Sequence, residues 1–276
     1  MPKLNDKTIT VLGGRGFIGS HLVRYFQTAG YECRVPQRGD ESWTAPLGHV
    51  IYAIGLTADF RSRPFDAVES HVCLLERLLR AGNFQSLTYL STARVYGGSL
   101  DTSEAADLHV NPVNPDDLYN LSKLAGESLC LHCGREGMKV ARLSNVVGQR
   151  DDTNTFLYQL LEQGRETGKV VFRTSLESKK DYVDVDDAVA LLARLSVSTS
   201  TGIYNVAGGE GTRNREIAET LVEEMGFKVS VAPGAVTSEF NSVDISKAKS
   251  EFGFSPRRFG DYFPAFLRGY RKKKGL

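Results

Sequence analysis

Tyr119 and Lys123 are the two residues whose types and spacing most directly indicate chemistry. Four positions apart, they share one face of any helix that contains them. A phenol with a pKa near ~10 is a poor base at neutral pH, and a neighbouring ammonium group lowers that pKa. The pair can then exchange a proton with a hydroxyl or carbonyl while a nicotinamide takes or gives a hydride. The spacing alone is weak evidence, because Tyr270 and Lys274 repeat it in the basic run near the end of the sequence.

Glycines at positions 13, 16 and 19 form a second motif, directly after an apolar run and at the start of a helix-forming segment. They allow a tight turn, close approach of the backbone to a pyrophosphate, and close packing of helix on strand. The amino end of the helix then offers N–H groups to phosphates. The pattern predicts a dinucleotide site formed by Gly13, Gly14, Arg15, Gly16, Phe17, Ile18, Gly19 and, after the third strand, Ala53.

The residues after the second apolar run bear on which dinucleotide binds. A carboxylate there would grip the ribose 2′-hydroxyl of NAD, but Gln37 stands at that place and Arg38 follows it. Together with Arg15, Arg38 favours a bidentate grip on the 2′-phosphate of NADP. The alternative is two surface arginines, with Asp40 as the ribose partner. We predict NADP, with NAD as the alternative.

Short apolar runs alternate with helix-forming segments along the chain. Strands are predicted at residues 8–12, 32–35, 49–54, 87–91, 139–143, 170–172 and 203–206. Helices are predicted at residues 17–29, 65–81, 117–134, 154–164, 185–195, 214–224 and 261–270. The repetition of strand, helix and strand indicates parallel strands with crossover helices, so we predict an α/β fold with a doubly wound parallel sheet, Rossmann-like.

The pattern also suggests a division of the chain. We expect residues 1–150, joined by 178–206, to form a dinucleotide-binding domain. Residues 151–177 and 207–276 would form a small C-terminal substrate-binding lobe over the carboxyl edge of the sheet, where ligands of such folds bind. The polar stretch from 99 to 115 is expected to be a long loop.

Composition excludes several classes of function. Thirty-four basic and 33 acidic residues give a net charge of +1, which provides no reason to expect nucleic acid. No run approaches the ~20 apolar residues that span a bilayer, and the polar start lacks a secretory signal, so we expect a cytoplasmic protein. Cys130 and Cys133 lack partners for a metal set and are expected to pack within a helix.

Several segments, taken together, resemble the extended short-chain dehydrogenase/reductases, the NAD(P)-dependent sugar epimerase/dehydratase family. They occur in the family's order and cover nearly the whole chain. They are the glycine loop, the hydroxyl-x-x-x-Tyr-Gly segment 92–97, the pair Tyr119 and Lys123, and the segments 141–148, 181–187, 203–206 and 244–248.

The resemblance implies a role for individual residues. Thr92 would hydrogen-bond the reacting oxygen, Tyr119 would be the general acid/base, and Lys123 would bind the nicotinamide ribose and tune the tyrosine. Asn145 would line the substrate pocket. Without Tyr119, a cap on the following turn would be the better interpretation of Thr92. Members of the family commonly dimerise, so the resemblance also implies a homodimer through the helices near 65–81 and 117–134.

The sequence departs from the family beside Thr92. Ala93 and Arg94 stand where the dehydratases and decarboxylases carry an acid. Dehydration is therefore not expected, which leaves reduction of a ketone, oxidation of an alcohol, or epimerisation. Only eight residues separate Asp40 from His49, so a strand and a helix on the adenine side are missing.

The positions at which the family binds a diphosphate with arginine are altered as well. One family arginine aligns with Lys180, and a second has no counterpart between Lys228 and Lys247. Lysine lacks the planar fork of arginine, so bidentate recognition is weaker. Arg94, Arg150 or Arg173 can substitute, and the predicted substrate residues are Arg94, Asn145 and Lys180.

These observations support three hypotheses of function. The first is an NADP-dependent ketoreductase acting on a nucleotide-linked sugar, because a preference for NADP suits net reduction. The second is an NAD-dependent nucleotide-sugar epimerase. The third, a non-catalytic NADP-binding regulatory protein, is opposed by the intact set of Thr92, Tyr119 and Lys123.

Overall fold

The computed structural model describes residues 8–57, 59–149 and 155–275. Its strands are β1 (Thr8–Leu12), β2 (Glu32–Arg34), β3 (His49–Tyr52), β4 (Ser86–Thr92), β5 (Met138–Leu143), β6 (Asn145–Val147), β7 (Lys169–Phe172), β8 (Lys179–Asp184), β9 (Gly202–Val206), β10 (Gly211–Arg213) and β11 (Lys228–Val231). Its α-helices are α1 (Phe17–Thr28), α2 (Pro64–Val68), α3 (Leu74–Ala81), α4 (Asp117–His132), α5 (Phe156–Thr167), α6 (Val185–Val197), α7 (Asn214–Met225), α8 (Ser246–Phe252) and α9 (Phe259–Lys274).

Six strands form the main sheet in the order β2-β1-β3-β4-β5-β9, and every neighbouring pair is parallel. Successive residues of a strand point to opposite faces, so both faces need a cover. On one face, Ile51 of β3 packs in a cluster with side chains of α1, α6 and α8. On the other, Val50 and Tyr52 pack with α3 and α4. The predicted doubly wound parallel sheet is confirmed.

A separate apolar cluster covers the later part of the chain. Side chains of α5, α7 and α9 pack there around β7, with Val170 and Phe172 at its centre. Two small sheets, β10-β8-β6 and β11-β7, belong to this region. The cluster supports the division into a dinucleotide-binding domain and a smaller lobe, which stays a prediction.

The predicted elements of the main sheet lie where the sequence placed them, within a few residues. The prediction missed β6, β8, β10, β11 and α8. Residues 99–115 contain no helix or strand. Only eight residues separate Asp40 from His49, and as expected they form no strand of the main sheet. Among the described residues, β2 is the edge strand on this side.

Two further observations concern membrane-spanning helices and the Cys130–Cys133 pair. Among the described helices, none is long and apolar enough to cross a membrane. Cys130 is buried, Cys133 is half-buried, and both are free thiols. The Cys133 thiol donates to the Cys130 carbonyl at 3.4 Å, at the carboxyl end of α4.

Candidate functional site

The glycine loop lies at the carboxyl end of β1, against the end of β3. Gly13 has a φ of +81°, and a Cβ there would lie 2.6 Å from the Ala53 carbonyl oxygen. Gly19, in the first turn of α1, lies so close to the loop that its Cβ would be 2.2 Å from the Gly13 oxygen. Only glycine fits either position, because any side chain would collide with backbone.

The amino end of α1 is open to a ligand. Gly16 is the residue before the helix and provides no side-chain cap, so the first N–H groups, those of Phe17, Ile18 and Gly19, are offered outward. Gly14 is buried, and Arg15 is exposed beside it. The tight turn and uncapped helix fit the pyrophosphate of a dinucleotide.

The residues predicted to select the cofactor follow β2. Gln37 and Arg38 are both exposed. Asp40, the alternative ribose partner, instead accepts hydrogen bonds from the Ser42 amide at 3.1 Å and the Ser42 hydroxyl at 2.5 Å. Arg38 has no ion-pair or hydrogen-bond partner among the described residues, whereas Arg34 is bound to Glu32.

Helix α4 brings the proposed catalytic tyrosine to the end of β4. The helix begins at Asp117, whose carboxylate accepts from the Asn111 amide and from Asn120, and a negative charge in the first turn is favourable. Tyr119 and Lys123 follow on one face, and both are 4 % exposed. Thr92, the last residue of β4, also accepts a 3.2 Å hydrogen bond from the Arg94 amide. Thr92 therefore caps the following turn, and its catalytic role stays a prediction.

Opposing effects set the pKa of Tyr119. Burial raises it, and the Thr57 hydroxyl, the Arg94 guanidinium and the Thr92 hydroxyl lower it. The Arg94 guanidinium lies 5.2 Å from the centre of the tyrosine ring. We expected Lys123 to be the cation that lowers this pKa, and in the structure that cation is Arg94.

Lys123 is held by the strand beneath it. Its ammonium donates to the Leu90 carbonyl at 2.8 Å and lies 4.9 Å from the centre of the Tyr89 ring. Burial lowers its pKa to about 7, against the opposing charge of Glu127 one turn later. Glu127 is in turn bound by Arg142 at 2.7 Å, deep in the core.

Of the predicted substrate residues, Arg94 lies beside Tyr119, Lys180 lies near Arg94, and Asn145 lies on β6. Arg94 is exposed and also lies 5.5 Å from the centre of the Phe60 ring. Burial and then the positive charge of Arg94 lower the pKa of Lys180, so the two cations lie near each other. The Asn145 amide is exposed and donates to the Asp181 carbonyl at 2.8 Å. Arg150 is outside the described residues.

Three further residues of this site were not predicted from the sequence. Phe60 packs against Tyr119 with ring centres 5.3 Å apart, and His71 packs edge-on at 5.4 Å. Thr57 approaches the tyrosine hydroxyl. They come from the segment after β3 and the turn before α3, and no spacing in the sequence links them to Tyr119.

Comparison with known proteins places this geometry in a family. A sequence model of the NAD dependent epimerase/dehydratase family matches residues 9–207. The chain is 26 % identical to a dTDP-6-deoxy-L-talose 4-dehydrogenase (NAD(P)(+)) of Kitasatospora kifunensis, over 93 % of each chain. It is 29 % identical to a GDP-6-deoxy-D-mannose reductase of Pseudomonas aeruginosa, over 77 % of this chain and 78 % of the other. The solved structure of MoeE5 in complex with UDP-glucose and NAD has the same fold, with a TM-score of 0.81, 20 % identity, and coverage of 98 % and 100 %.

Proposed function

The chain belongs to the NAD dependent epimerase/dehydratase family of NAD(P)-dependent enzymes, and we propose that it is an NADP-dependent ketoreductase that acts on a nucleotide-linked sugar. The observation that carries the proposal is the pairing of a buried phenol, Tyr119, with the Thr92 hydroxyl at the end of β4. Both groups lie at the carboxyl edge of the sheet, where the glycine loop also lies. Relatives that act as a reductase and as a 4-dehydrogenase support the same chemistry.

Tyr119 is suited to donate a proton. Because burial keeps its pKa above the ordinary value, the phenol is neutral at pH 7 and can protonate an alkoxide. Thr92 would hydrogen-bond the substrate oxygen and orient it, and Lys123 would hold the nicotinamide ribose. The bound nicotinamide supplies the hydride.

Elimination is disfavoured by the side chains that follow Thr92. Ala93 is buried and has no acid or base, and Arg94 places a guanidinium over the Tyr119 ring. Asp116, the carboxylate near Arg94, is bound to Arg61 at 2.5 Å, which lowers its pKa. A paired carboxylate with a low pKa is a poor base, so proton exchange at a carbonyl is the reaction that this site supports best.

The positive charges near Tyr119 support an anionic substrate. The positive charge of Arg94 lowers the pKa of Lys180, and a negative ligand between the two cations would offset their repulsion. We assign this role to the diphosphate of a nucleotide sugar, with Asn145 in contact with the sugar.

The assay that tests the proposal measures NADPH consumption by the purified protein. The substrates are dTDP-4-dehydro-6-deoxyglucose and GDP-4-dehydro-6-deoxymannose. We expect turnover with at least one, and a loss of about 10²- to 10⁴-fold in Tyr119→Phe, which lacks the acid. Tightly bound NAD in the purified protein, with no NADPH consumed, would favour the epimerase instead.

The preference for NADP rests on Arg38, which is exposed and unpaired within the described ranges. Arg38→Ala should weaken NADPH binding by about tenfold and leave NADH binding unchanged, because a charged hydrogen bond to the 2′-phosphate is lost. Arg34→Ala is the matched control, since Arg34 is exposed nearby and already bound to Glu32. Titration of nicotinamide fluorescence measures both affinities. Equal loss for both cofactors would contradict the assignment.

Assembly and location belong to the same proposal. Leu131 of α4 is 40 % exposed and Val68 of α2 is 36 % exposed, so apolar side chains are available on the helices predicted to form a homodimer. Light scattering on the purified protein tests for the dimer. We further propose a cytoplasmic location, where both the nicotinamide cofactors and sugar nucleotides are present.

A further inference from the structure

His71 is fully buried and lies in a π-helical turn, Glu69–Cys73, between α2 and α3. Such turns are rare and often mark functional positions. Two tyrosines of the main sheet fix this one: Tyr52 donates to the Ser70 carbonyl at 2.7 Å, and Tyr89 donates to the His71 carbonyl at 3.2 Å. The turn is therefore anchored to β3 and β4 independently of the histidine ring.

Both ring nitrogens of His71 are engaged. The Leu56 amide donates to Nε2 at 3.1 Å, so the proton of the neutral ring is on Nδ1. Nδ1 donates to the Ser122 hydroxyl at 2.8 Å, and Ser122 donates to the Tyr119 carbonyl at 2.9 Å. Burial and the nearby charge of Lys123 lower the pKa of His71 to about 3, so the ring stays neutral. The chain of bonds joins the segment after β3 to the catalytic helix.

The packing around the ring is equally close. The His71 ring meets the Tyr119 ring edge-on, with 84° between their planes. A Cβ on Gly55 would lie 3.2 Å from His71 Nε2 and 3.3 Å from Lys123 Nζ. A Cβ on Gly126 would lie 2.8 Å from the His71 carbonyl oxygen, so α4 can approach the π-helical turn only because this residue is glycine.

We propose that His71 is a positioning residue that holds the segment after β3, including Thr57, against α4, so that the Tyr119 hydroxyl faces the substrate oxygen in one fixed orientation. The inference rests on the proposed catalytic role of Tyr119. This hydrogen-bonded link is separate from the glycine loop and from the Tyr119–Lys123 pair. It joins the segment after β3, the π-helical turn and α4.

Kinetics of four variants test the link. His71→Leu and Ser122→Ala each break it, and each should lower kcat by about tenfold at saturating NADPH and sugar nucleotide, with little change in KM, because a misplaced acid slows the chemical step. His71→Gln keeps an acceptor for the Leu56 amide and should restore part of the rate. The double variant His71→Leu/Ser122→Ala should lose no more than the worse single variant, since both remove one connection.

Tyr52→Phe is the matched structural control. It removes a buried hydrogen bond to the same π-helical turn but leaves Leu56, His71 and Ser122 joined. It should lower the midpoint of thermal unfolding and keep the wild-type kcat. If His71→Leu behaves in the same way, losing stability while kcat per folded molecule is unchanged, the positioning role is refuted.

A second measurement does not need a substrate. Nitrogen-15 NMR of histidine-labelled protein should show one ring that stays neutral, protonated at Nδ1, from neutral pH down to about pH 5, where an ordinary histidine is charged. Its signal should disappear in His71→Gln. A His71 ring that titrates normally, or is protonated at Nε2, would overturn the inference. Absence of turnover with any sugar nucleotide would instead overturn the proposed function.

Discussion

In the function that we propose, Tyr119 donates a proton, and its strength as an acid depends on its neighbours. Burial makes the phenol reluctant to ionise, and the Thr57 hydroxyl, Arg94 and the Thr92 hydroxyl moderate that effect. Of these, only Arg94 is charged, and its side chain is exposed. It therefore has two roles in our proposal, because it favours the ionised phenol and also faces an anionic substrate.

Removing the charge of Arg94 should raise the pKa of Tyr119. Arg94→Met keeps the length of the side chain and loses the guanidinium. In the direction of alcohol oxidation with NADP⁺, kcat increases with pH as the tyrosine ionises, and in the variant we expect this increase at a pH higher by up to about one unit. Arg94→Lys keeps a positive charge and should stay closer to wild type. An unchanged pH profile in Arg94→Met would contradict the assignment.

The sequence was sufficient to predict those site residues that can be recognised within one short segment of the chain. Tyr119 and Lys123 share a helix face, and Thr92 ends an apolar strand, so each can be predicted from its own segment. Phe60 and His71 are 59 and 48 residues from Tyr119 in sequence, and only the packing of their segments against α4 brings them to it. The source of the charge near Tyr119 was misassigned for the same reason, since Arg94 approaches it across elements.

At the scale of elements, the junction of β1 and α1 depends on backbone meeting backbone. Gly19 lies in a helix, where glycine is normally unfavourable by roughly 1 kcal/mol, but a Cβ there would collide with the Gly13 carbonyl. The close approach keeps the uncapped amino end of α1 beside the turn.

Gly19→Ala should therefore displace α1 from the loop and weaken binding of NADPH and NADH alike, by about 10²-fold, because the pyrophosphate loses aligned donors. Gly260→Ala is the control, since Gly260 is also helical and a Cβ there meets nothing within 4 Å. Isothermal titration with each cofactor measures the affinities. Wild-type affinity in Gly19→Ala would rule out this loop as the pyrophosphate site.

The elements themselves were predictable to different degrees. Strand β3 begins a continuous apolar run over residues 50–54 and pairs with β1 and with β4 over four residues each, so composition marks it. By contrast, β6 and β10 have three residues each, with polar or small side chains such as Asn145 and Gly211. They become strands because each pairs with β8, and such non-local pairing leaves no periodic signal.

At the scale of the whole molecule, Asp181 joins three parts of the chain. Its carboxylate lies on β8 and accepts from the Gly208 amide at 2.7 Å, the Gly209 amide at 2.9 Å and the Val243 amide at 3.2 Å. Burial raises its pKa from 3.8 to about 6, although those three amide bonds oppose the rise. The carboxylate thereby ties the small sheets to the segment before α8.

The raised pKa of Asp181 gives a pH-dependent contribution to stability. Below about pH 4 the carboxyl is protonated in both states, and the contribution is complete. As pH rises towards 6, the unfolded chain releases its proton first, so about 3 kcal/mol is lost, and above pH 6 nothing further changes. The unfolding free energy of wild type minus that of Asp181→Asn, from urea titrations, should fall by this amount between about pH 4 and pH 7. A constant difference would contradict the assignment.

The main sheet ends at β2, and that edge bears on how the protein behaves at high concentration. An unpaired strand edge is a template on which a second molecule can add a strand, which leads to aggregation. Here the edge strand has only three residues, the exposed ion pair of Arg34 and Glu32 occupies it, and Pro36 follows it. Shortness, charge and a proline each oppose strand addition. Within the described ranges, the sheet edge at β2 is therefore already protected against the addition of a strand from a second molecule.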